Sequence, residues 1–288
     1  MAVNPYKNLP IYSDEVIQWY RGQRRVDRPP HIFSVADGAY QALLSTARSQ
    51  SILITGESGA GKTENTKRVI QYLTAISSAS LGNLERQLIL ANVLLEAFGN
   101  AQTGRNNNSS RFGKFIRIEI DPANGQIVGA DIEKYLLEKS RVTHRAEDER
   151  SFHIFYQLLS GGSDALLQSL KLSRNAQDFT FLARSKTAIA GVDDSANFQE
   201  LLEAFDVIGM TATEQDDIFK VLAVVLLLGQ LQVSENETNG QAELVGTRNH
   251  GIIASVCELS GVPEPEFISA LLNPEIRAGR DVVQQAQI

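Results

Sequence analysis

Apolar residues recur every three to four positions along much of the chain, the spacing that one face of an α-helix produces. The clearest stripe ends at Gly99 and consists of Leu84, Leu88, Ala91, Leu95 and Phe98. In the segment Ser34–Arg48 the same spacing selects a buried face made of Val35, Ala39 and Leu43. The pattern predicts helices over Ser13–Arg21, Ser34–Arg48, Lys62–Ile76, Leu84–Phe98, Glu147–Leu159, Ser163–Leu170, Phe198–Ile208, Glu214–Leu228, His250–Leu259 and Glu264–Leu272.

Strand patterns occupy a few short segments. Ser51–Thr55 is an apolar run bounded by a glycine, which predicts a buried strand. Along Phe112–Ile120 apolar and polar residues alternate, and an Asp-Pro-Ala-Asn-Gly turn leads into a second strand, Gln126–Leu137. The two strands predict a β-hairpin. Two polar segments, 100–111 and Ser234–Thr247, are predicted to form a loop and a hairpin-like insert.

Composition and charge narrow the classes of protein to consider. The 288 residues are 43% apolar and carry a formal net charge of -7, so a broad nucleic-acid-binding surface is not expected. Cys257 is the only cysteine, which rules out an intrachain disulfide and fits a reducing compartment. The longest apolar run, Val221–Leu228, is shorter than a membrane span requires. We therefore expect a cytosolic protein without nucleic-acid or membrane partners.

The segment Gly56–Thr63, with the sequence GESGAGKT, follows the predicted strand and opens the predicted helix Lys62–Ile76. This is the setting of a phosphate-binding loop, in which backbone N–H groups curve around an anion at a helix N-terminus. The glycines that permit this curvature are Gly56, Gly59 and Gly61. Lys62 would reach the terminal phosphates of a nucleotide, and the Thr63 hydroxyl would bind Mg²⁺. The alternative is a glycine turn with an exposed lysine and no ligand.

A second polar segment, Arg105–Lys114, has the sequence RNNNSSRFGK and many hydrogen-bonding groups. Taken alone, such a run is typical of a polar turn. Arg111 could compensate the charge of a phosphate, and Ser109 or Ser110 could contact Mg²⁺ or a water molecule. Beside a phosphate loop, the segment has the parts of a sensor for the terminal phosphate of a nucleotide.

Several short motifs follow one another along the chain. They are NPYKNLPIY (4–12), PHIF (30–33), GESGAGKTENTK (56–67), NNNSSRFGKF (106–115), LLEKSRV (136–142), FHIFYQLL (152–159) and AGRD (278–281). In this order they resemble the myosin motor head, with wording closest to conventional, class II heavy chains. The resemblance implies an α/β fold with a P-loop NTPase-type core, in which helices surround a partial mixed central sheet. It also implies a mostly α-helical upper actin-binding subdomain.

The resemblance implies that ATP and Mg²⁺ bind to these motifs. The residues implied to line the adenine pocket are Asn4, Tyr6, Lys7 and Tyr12. The family's phosphate loop is matched residue for residue by Gly56, Glu57, Ser58, Gly59, Ala60, Gly61, Lys62 and Thr63. In the second loop, switch I, Asn106 is implied to touch the phosphates and Ser110 to join Thr63 as a Mg²⁺ ligand. Ser109 is implied to relay a proton from the attacking water. The implied catalytic residues are Ser109, Arg111 and Lys62.

One element of the family is missing from the sequence. The switch II segment, Asp-Ile-x-Gly-Phe-Glu, contains a glutamate that pairs with the switch I arginine, and it occurs nowhere in the chain. The resemblance therefore implies an internal piece of a motor in which Arg111 has no carboxylate partner. It divides the chain into a nucleotide-binding part, 1–78, and a second part, 79–288. The second part contains switch I, the transducer hairpin and the upper actin-binding subdomain.

The implied function is that of a segment of an ATP-driven motor of the cytoplasmic actin cytoskeleton. The implied partners are filamentous actin and, in the full-length protein, light chains and a second heavy chain joined through a coiled-coil tail. Two alternatives stay open: a kinase or other soluble P-loop NTPase, and a truncated nucleotide-binding fragment without motor or ATPase activity. The segment 106–114 argues against the first alternative, because a kinase has no need of a switch I of this form.

Overall fold

The computed structural model describes residues 3–5, 7, 9–77, 84–183, 186–236, 242–278 and 281–284. The chain divides into two compact units, Met1–Glu138 and Lys139–Ile288. The domain boundary predicted after residue 78 lies outside the described residues. Both units contain helices and antiparallel strand pairs, so the fold is of mixed α and β type.

The first unit is built from helices and two hairpins. The helices are α1 (Asp14–Tyr20), α2 (Ile32–Thr46), α3 (Lys62–Ile76) and α4 (Leu84–Gly99). The strands are β1 (Asn100–Thr103), β2 (Asn106–Ser110), β3 (Gly113–Ile120) and β4 (Ile127–Tyr135). β1 pairs with β2 and β3 pairs with β4, both antiparallel, which confirms the hairpin predicted from the alternating segment.

The core of the first unit forms where α1, α2 and α3 pack together. Phe33 of α2 and Tyr72 of α3 are fully buried, and their ring centres are 5.0 Å apart. The buried carboxylate of Asp37 accepts a hydrogen bond from the Tyr72 hydroxyl at 2.9 Å, which satisfies both polar groups. The Tyr40 hydroxyl donates to the carbonyl of Gly125 at 2.9 Å, and this bond attaches the β3–β4 turn to α2.

Helix α2 occurs where it is predicted, but it buries a different face. The buried apolar side chains are Phe33, Ala36 and Tyr40. The predicted set, which is only half-buried, is Val35, Ala39 and Leu43. Both sets are apolar at helical spacing, so the pattern alone could not rank them. The set with two aromatic rings removes more apolar area from water, and this decides the orientation of the helix.

The prediction of a buried strand at Ser51–Thr55 is wrong for this structure. No strand forms there, and the side chain of Leu53 is 86% exposed. A strand is completed by backbone hydrogen bonds to a neighbouring strand. Among the described residues every sheet is a separate antiparallel pair, so a mixed central sheet is not formed by this part of the chain. The segment has the composition of a buried strand but no strand beside it.

The polar segment 100–111 contains the β1–β2 hairpin, so the prediction of a loop is wrong. Asn100 lies opposite Ser110 in the strand register, and Thr103 lies opposite Asn106. Asparagine is depleted in strands, so the composition carried no strand signal. In the structure, side-chain amides add hydrogen bonds between the two strands: Asn100 Nδ2 donates to Asn108 Oδ1 at 2.9 Å. Strand propensities of single residues do not include such bonds.

The second unit is mostly helical over its described residues. The helices are α5 (His153–Gly161), α6 (Asp164–Ser169), α7 (Thr180–Ala183), α8 (Asp194–Val207), α9 (Ala212–Leu228), α10 (Arg248–Ser260) and α11 (Glu264–Leu272). Short 3₁₀ turns cover Lys139–Val142 and Ala176–Asp178. The strands are β5 (Val233–Glu235), β6 (Ala242–Leu244), β7 (Glu275–Ala278) and β8 (Asp281–Gln284). The β5–β6 pair confirms the predicted hairpin-like insert, whereas α7 and the β7–β8 pair were not predicted.

The core of the second unit includes the contact between α8 and α9. Phe198 and Phe205 of α8 both meet Phe219 of α9, with ring centres 5.5 and 6.1 Å apart. These aromatic contacts bury one face of α9 within the unit. In the part of the chain that the structure describes, no helix combines the length and the apolar character that crossing a membrane demands.

Helix α5 begins at His153 rather than at the predicted Glu147. Buried polar groups hold the preceding residues in a non-helical arrangement. The fully buried Arg150 pairs with Asp194 of α8 at 2.7 Å, and the backbone N–H of Ser151 donates to the Tyr156 hydroxyl at 3.2 Å. These two bonds replace the helical bonds that the apolar spacing predicted.

The buried imidazole of His153 makes the stability of the chain depend on pH. Burial, with a further contribution from Arg150, lowers the pKa of His153 from 6.5 to about 4. The unfolded chain therefore takes up a proton below about pH 6.5, while the folded chain stays neutral until about pH 4. Stability should fall as the pH drops through this window, by about 3 kcal/mol in total.

Urea unfolding at about pH 7 and about pH 5 measures this effect. In the wild-type chain the free energy of unfolding should be lower at the lower pH. His153→Gln cannot titrate at this position, so most of that decrease should disappear in the variant. His144 is exposed, and His144→Gln, the matched control, should keep that difference. An unchanged difference in His153→Gln would contradict the assignment.

Candidate functional site

Residues 56–63 form a tight loop that runs directly into α3. Gly56, Gly59 and Gly61 have φ angles of 152°, 80° and 91°, a region that side-chain-bearing residues rarely adopt. Gly61 immediately precedes α3, and its carbonyl accepts a hydrogen bond from Asn65 N at 2.9 Å. The first N–H groups of the helix have no acceptor within it, so they are available at the loop.

The backbone of this loop has features that suit a phosphate group. The N–H of Ala60 donates to the carbonyl of Glu57 at 3.2 Å, which closes a turn. A Cβ placed on Gly56 would lie 3.1 Å from the Cβ of Ala60, closer than most side chains tolerate. A curved backbone at a helix N-terminus presents N–H groups and partial positive charge to an anion. The residues present therefore fit a nucleotide phosphate.

Lys62 folds back across the loop instead of extending into solvent. Its Nζ donates to the carbonyl of Gly56 at 2.7 Å and to that of Glu57 at 2.8 Å. Both bonds are exposed, so water can replace them when the ammonium group turns toward a ligand. The positive charge is thereby kept at the loop.

Strand β2 reaches the loop through two serine hydroxyls. Ser109 Oγ lies 3.3 Å from Ser58 Oγ, and Ser109 is almost fully buried. Arg111 Nη1 donates to Ser109 Oγ at 3.1 Å. A guanidinium group, a strand hydroxyl and a loop hydroxyl therefore form one connected chain. The structure thus brings together the two segments that the sequence singles out.

The other switch I residues are placed differently. Ser110 is exposed, whereas Ser109 is buried, because neighbouring residues of a strand point to opposite faces. In the described part of the chain, Ser110 makes no side-chain hydrogen bond to the loop that contains Thr63. The Asn106 amide is used within the hairpin, where its Oδ1 accepts from Asn108 N at 3.0 Å.

The residues predicted to line an adenine pocket are only partly brought together. Asn4 Nδ2 donates to the carbonyl of Gly59 at 2.8 Å and so attaches the N-terminal segment to the loop. Lys7 is exposed, and Tyr6 lies outside the described residues. The ring of Tyr12 packs under the guanidinium group of Arg68, 4.4 Å from its carbon atom. Tyr12 therefore already has a partner on one face of its ring.

Arg111 has a carboxylate partner, contrary to the expectation from the missing switch II segment. Its Nε donates to Glu138 Oε2 at 2.6 Å, and both side chains are partly buried. The backbone N–H of Glu138 also donates to the carbonyl of Arg111 at 2.9 Å. The LLEKSRV motif thus supplies a carboxylate partner for Arg111 that the sequence reasoning missed.

The hairpin register could have revealed this pair. β3 and β4 are antiparallel with Gly113 opposite Tyr135, and the same register continued past the open end places Arg111 opposite Leu137, the residue next to Glu138. The register therefore brings Arg111 and Glu138 near each other, one residue away from a directly opposed pair. Opposite charges across the open end of a predicted hairpin are therefore the signal that was available.

A comparison with protein families identifies the family of the chain. The family model for the myosin head (motor domain) matches residues 1–288. The match includes the 56–63 loop and β2, the two segments that meet in the structure. The chain belongs to the myosin head (motor domain) family.

Proposed function

We propose that the chain binds Mg-ATP between the 56–63 loop and β2, and that it serves in a motor that moves along actin filaments. The family is one of ATP-driven, actin-based motors. The observation that carries the proposal is the 3.3 Å contact between Ser58 Oγ and Ser109 Oγ. It sets a phosphate-type loop directly against a strand that carries hydroxyl and guanidinium groups.

In this proposal the loop binds the phosphates and neutralises their charge. Backbone N–H groups of residues 56–63 hold the phosphate oxygens, and Lys62 moves from its carbonyl acceptors to the terminal phosphates. Thr63 and Ser110 hold Mg²⁺, which would supply charge compensation at the phosphate oxygens. Ser110 has to change its exposed position for this role, since it now lies on the far face of β2.

The remaining switch I groups position and polarise in this proposal. Asn106 contacts the phosphates, Ser109 accepts and passes on a proton from the attacking water, and Arg111 fixes the Ser109 hydroxyl. Phosphoryl transfer depends mainly on positioning and charge compensation, which these groups supply without forming a covalent intermediate. The 3.1 Å bond from Arg111 to Ser109 supports this division of roles.

The wider assignments rest on the resemblance and are part of the same proposal. The adenine contacts are Asn4, Tyr6, Lys7 and Tyr12. Residues 1–78 form the nucleotide-binding part, and 79–288 carry switch I, the transducer hairpin and the upper actin-binding subdomain. The class is II, the location is the cytoplasmic actin cytoskeleton, and in the full-length protein light chains and a second heavy chain complete the assembly.

One observation favours a narrower function. Leu53 is 86% exposed, and the segment around it lacks a neighbouring strand in the described chain. Loop geometry depends on the strand that precedes it, so the chain on its own could bind nucleotide without hydrolysing it. Phosphate release measured with and without filamentous actin separates the two functions. Stimulation by actin supports the motor, whereas nucleotide binding without any hydrolysis supports the narrower function.

The magnesium dependence of nucleotide binding tests the site itself. Titration of the chain with a fluorescent ATP analogue should show saturable binding that is stronger with Mg²⁺ than with excess EDTA. Thr63→Ala should remove most of that difference, since it deletes a hydroxyl ligand of the ion. Thr66 is one turn further along α3, where its Oγ1 donates to the carbonyl of Lys62 at 3.0 Å. Thr66→Ala, the matched control, should keep the magnesium effect, and a wild-type chain that binds no nucleotide would overturn the proposal.

A further inference from the structure

A carboxylate outside the predicted site joins α3 to β2. Glu96 of α4 has a side chain that is only 19% exposed, and its Oε1 lies 3.1 Å from Lys67 Nζ. Its Oε2 accepts a hydrogen bond from Asn108 Nδ2 at 3.0 Å. One side chain therefore contacts both the helix that follows the phosphate loop and the strand that carries switch I.

The contact continues into the hairpin at its functional end. Asn108 Oδ1 accepts from Asn100 Nδ2 at 2.9 Å, which ties β2 to β1. The backbone N–H of Asn108 donates to Asn106 Oδ1 at 3.0 Å. Holding Asn108 therefore also holds Asn106 and the adjacent Ser109.

The local charges support a tight attachment. Burial acts to lower the pKa of Lys67, but the carboxylates of Glu96 and Glu64 together outweigh it, so the pKa of Lys67 is raised. Glu96 also acts to raise the pKa of Lys114, but burial has the larger effect, and the pKa of Lys114 is lowered. Lys67 therefore stays charged beside Glu96, in a partly buried place where an ion pair is less screened by salt than at the surface.

We propose that Glu96 is a positioning residue of the nucleotide site, which holds β2 at the separation where Ser109 meets Ser58. This inference rests on the proposed nucleotide-binding function. Contacts from β2 to the terminal phosphate depend on Glu96, whereas contacts from the loop to the inner phosphates do not. Loss of Glu96 therefore affects binding of ATP more than binding of ADP.

The geometry requires a carboxylate at this position. Both oxygens of Glu96 face donors, Lys67 Nζ on one side and Asn108 Nδ2 on the other. An amide has one oxygen and one NH₂ group, so Glu96→Gln sets a donor against a donor in either orientation. Glu96→Gln therefore breaks one contact with almost no change in volume.

An isosteric exchange should restore the contact. In the double variant Glu96→Gln/Asn108→Asp, the new amide donates to the new carboxylate, and the amide oxygen still faces Lys67 Nζ. The new carboxylate also still accepts from Asn100 Nδ2. Net charge in the cluster is unchanged, since one carboxylate has moved by one side chain.

Affinities for a non-hydrolysable ATP analogue and for ADP, both with Mg²⁺, test the proposal. Glu96→Gln should weaken binding of the ATP analogue about tenfold, as expected for one charged hydrogen bond, and weaken ADP binding less than about twofold. The double variant should regain most of the lost affinity. A general loss of folding would weaken both ligands equally and would not be rescued.

Hydrogen exchange in the nucleotide-free chain gives a readout that does not depend on ligand binding. Exchange of the β1–β2 amides should rise in Glu96→Gln and return toward wild type in the double variant. Glu258 forms an ion pair with Lys171 at 2.9 Å in the second unit, so Glu258→Gln is the matched control and should change neither measurement. Unchanged exchange and an unchanged ATP-to-ADP ratio in Glu96→Gln would overturn the inference. A wild-type chain that binds neither nucleotide would instead overturn the proposed function.

Discussion

Lys62→Ala is expected to weaken Mg-ATP binding by about 10- to 100-fold, the loss that follows from removing one charged hydrogen bond to a phosphate. The ammonium group is the only positively charged side chain within residues 56–63. Helix and backbone N–H groups remain in the variant, so binding should be reduced rather than abolished. Turnover, where it occurs, should fall further, because charge compensation is needed most in the transition state.

The structure also predicts that Lys62→Ala leaves folding nearly unchanged. The two carbonyls that Lys62 contacts are exposed and can bond to water instead. Titration with a fluorescent ATP analogue and thermal unfolding, measured together, separate binding from folding. Lys134 is exposed on β4 of the same unit, and Lys134→Ala should alter neither quantity. Near-normal nucleotide affinity in a folded Lys62→Ala chain would exclude this loop as the phosphate site.

Helix α3 shows where sequence reasoning succeeded. Its predicted bounds, Lys62–Ile76, are those of the structure, and the apolar positions Val69, Ile70 and Leu73 are buried. Here the local sequence and the packing agree. The glycine loop sets the start of the helix, and a single apolar face packs against α1 and α2. The β3–β4 hairpin was predictable for the same reason, since alternation and a turn with Gly125 at φ +73° both specify it.

The contacts that assemble the site were less predictable. Hairpin β1–β2 is built by backbone pairing and amide bonds among residues that disfavour strands. The Arg111–Glu138 pair lies just beyond the open end of the β3–β4 hairpin, and neither local motif indicates it. Glu96 is a carboxylate on a largely apolar helix. Nothing in the neighbouring sequence indicates that Lys67 and Asn108 lie beside it in the fold. Side-chain pairs that cross elements depend on the fold, so periodicity alone cannot find them.

The second large expected effect concerns the buried ion pair of the second unit. Asp194→Ala is expected to destabilise that unit by about 3–5 kcal/mol, because it leaves a buried guanidinium group without its carboxylate. Arg150 is 0% exposed, and its Nη2 donates to Asp194 Oδ2 at 2.7 Å. Its Nε and Nη1 have no acceptor among the described residues. Little remains to stabilise the charge except the ring of Tyr156, 3.8 Å away.

A second aspartate of the same unit provides a close control. Asp164 begins α6 as Asp194 begins α8, and it pairs with Arg174 at 2.5 Å. The Asp164 side chain, however, is 96% exposed. Asp164→Ala should therefore cost less than about 1 kcal/mol, as exposed ion pairs do. Urea unfolding followed by circular dichroism compares the two variants, and hydrogen exchange over α5 and α8 locates the effect.

A double variant separates the cost of a buried charge from the loss of packing. In Arg150→Met/Asp194→Leu, no charge is left behind and most of the apolar volume is retained, so stability should recover most of what Asp194→Ala loses. If the double variant were as unstable as Asp194→Ala, the aspartate would act through packing and helix capping instead. Recovery would show that Asp194→Ala is unstable mainly because it leaves the charge of Arg150 buried without a partner. The ion pair just before α5 would then be needed because neither charge can be buried alone.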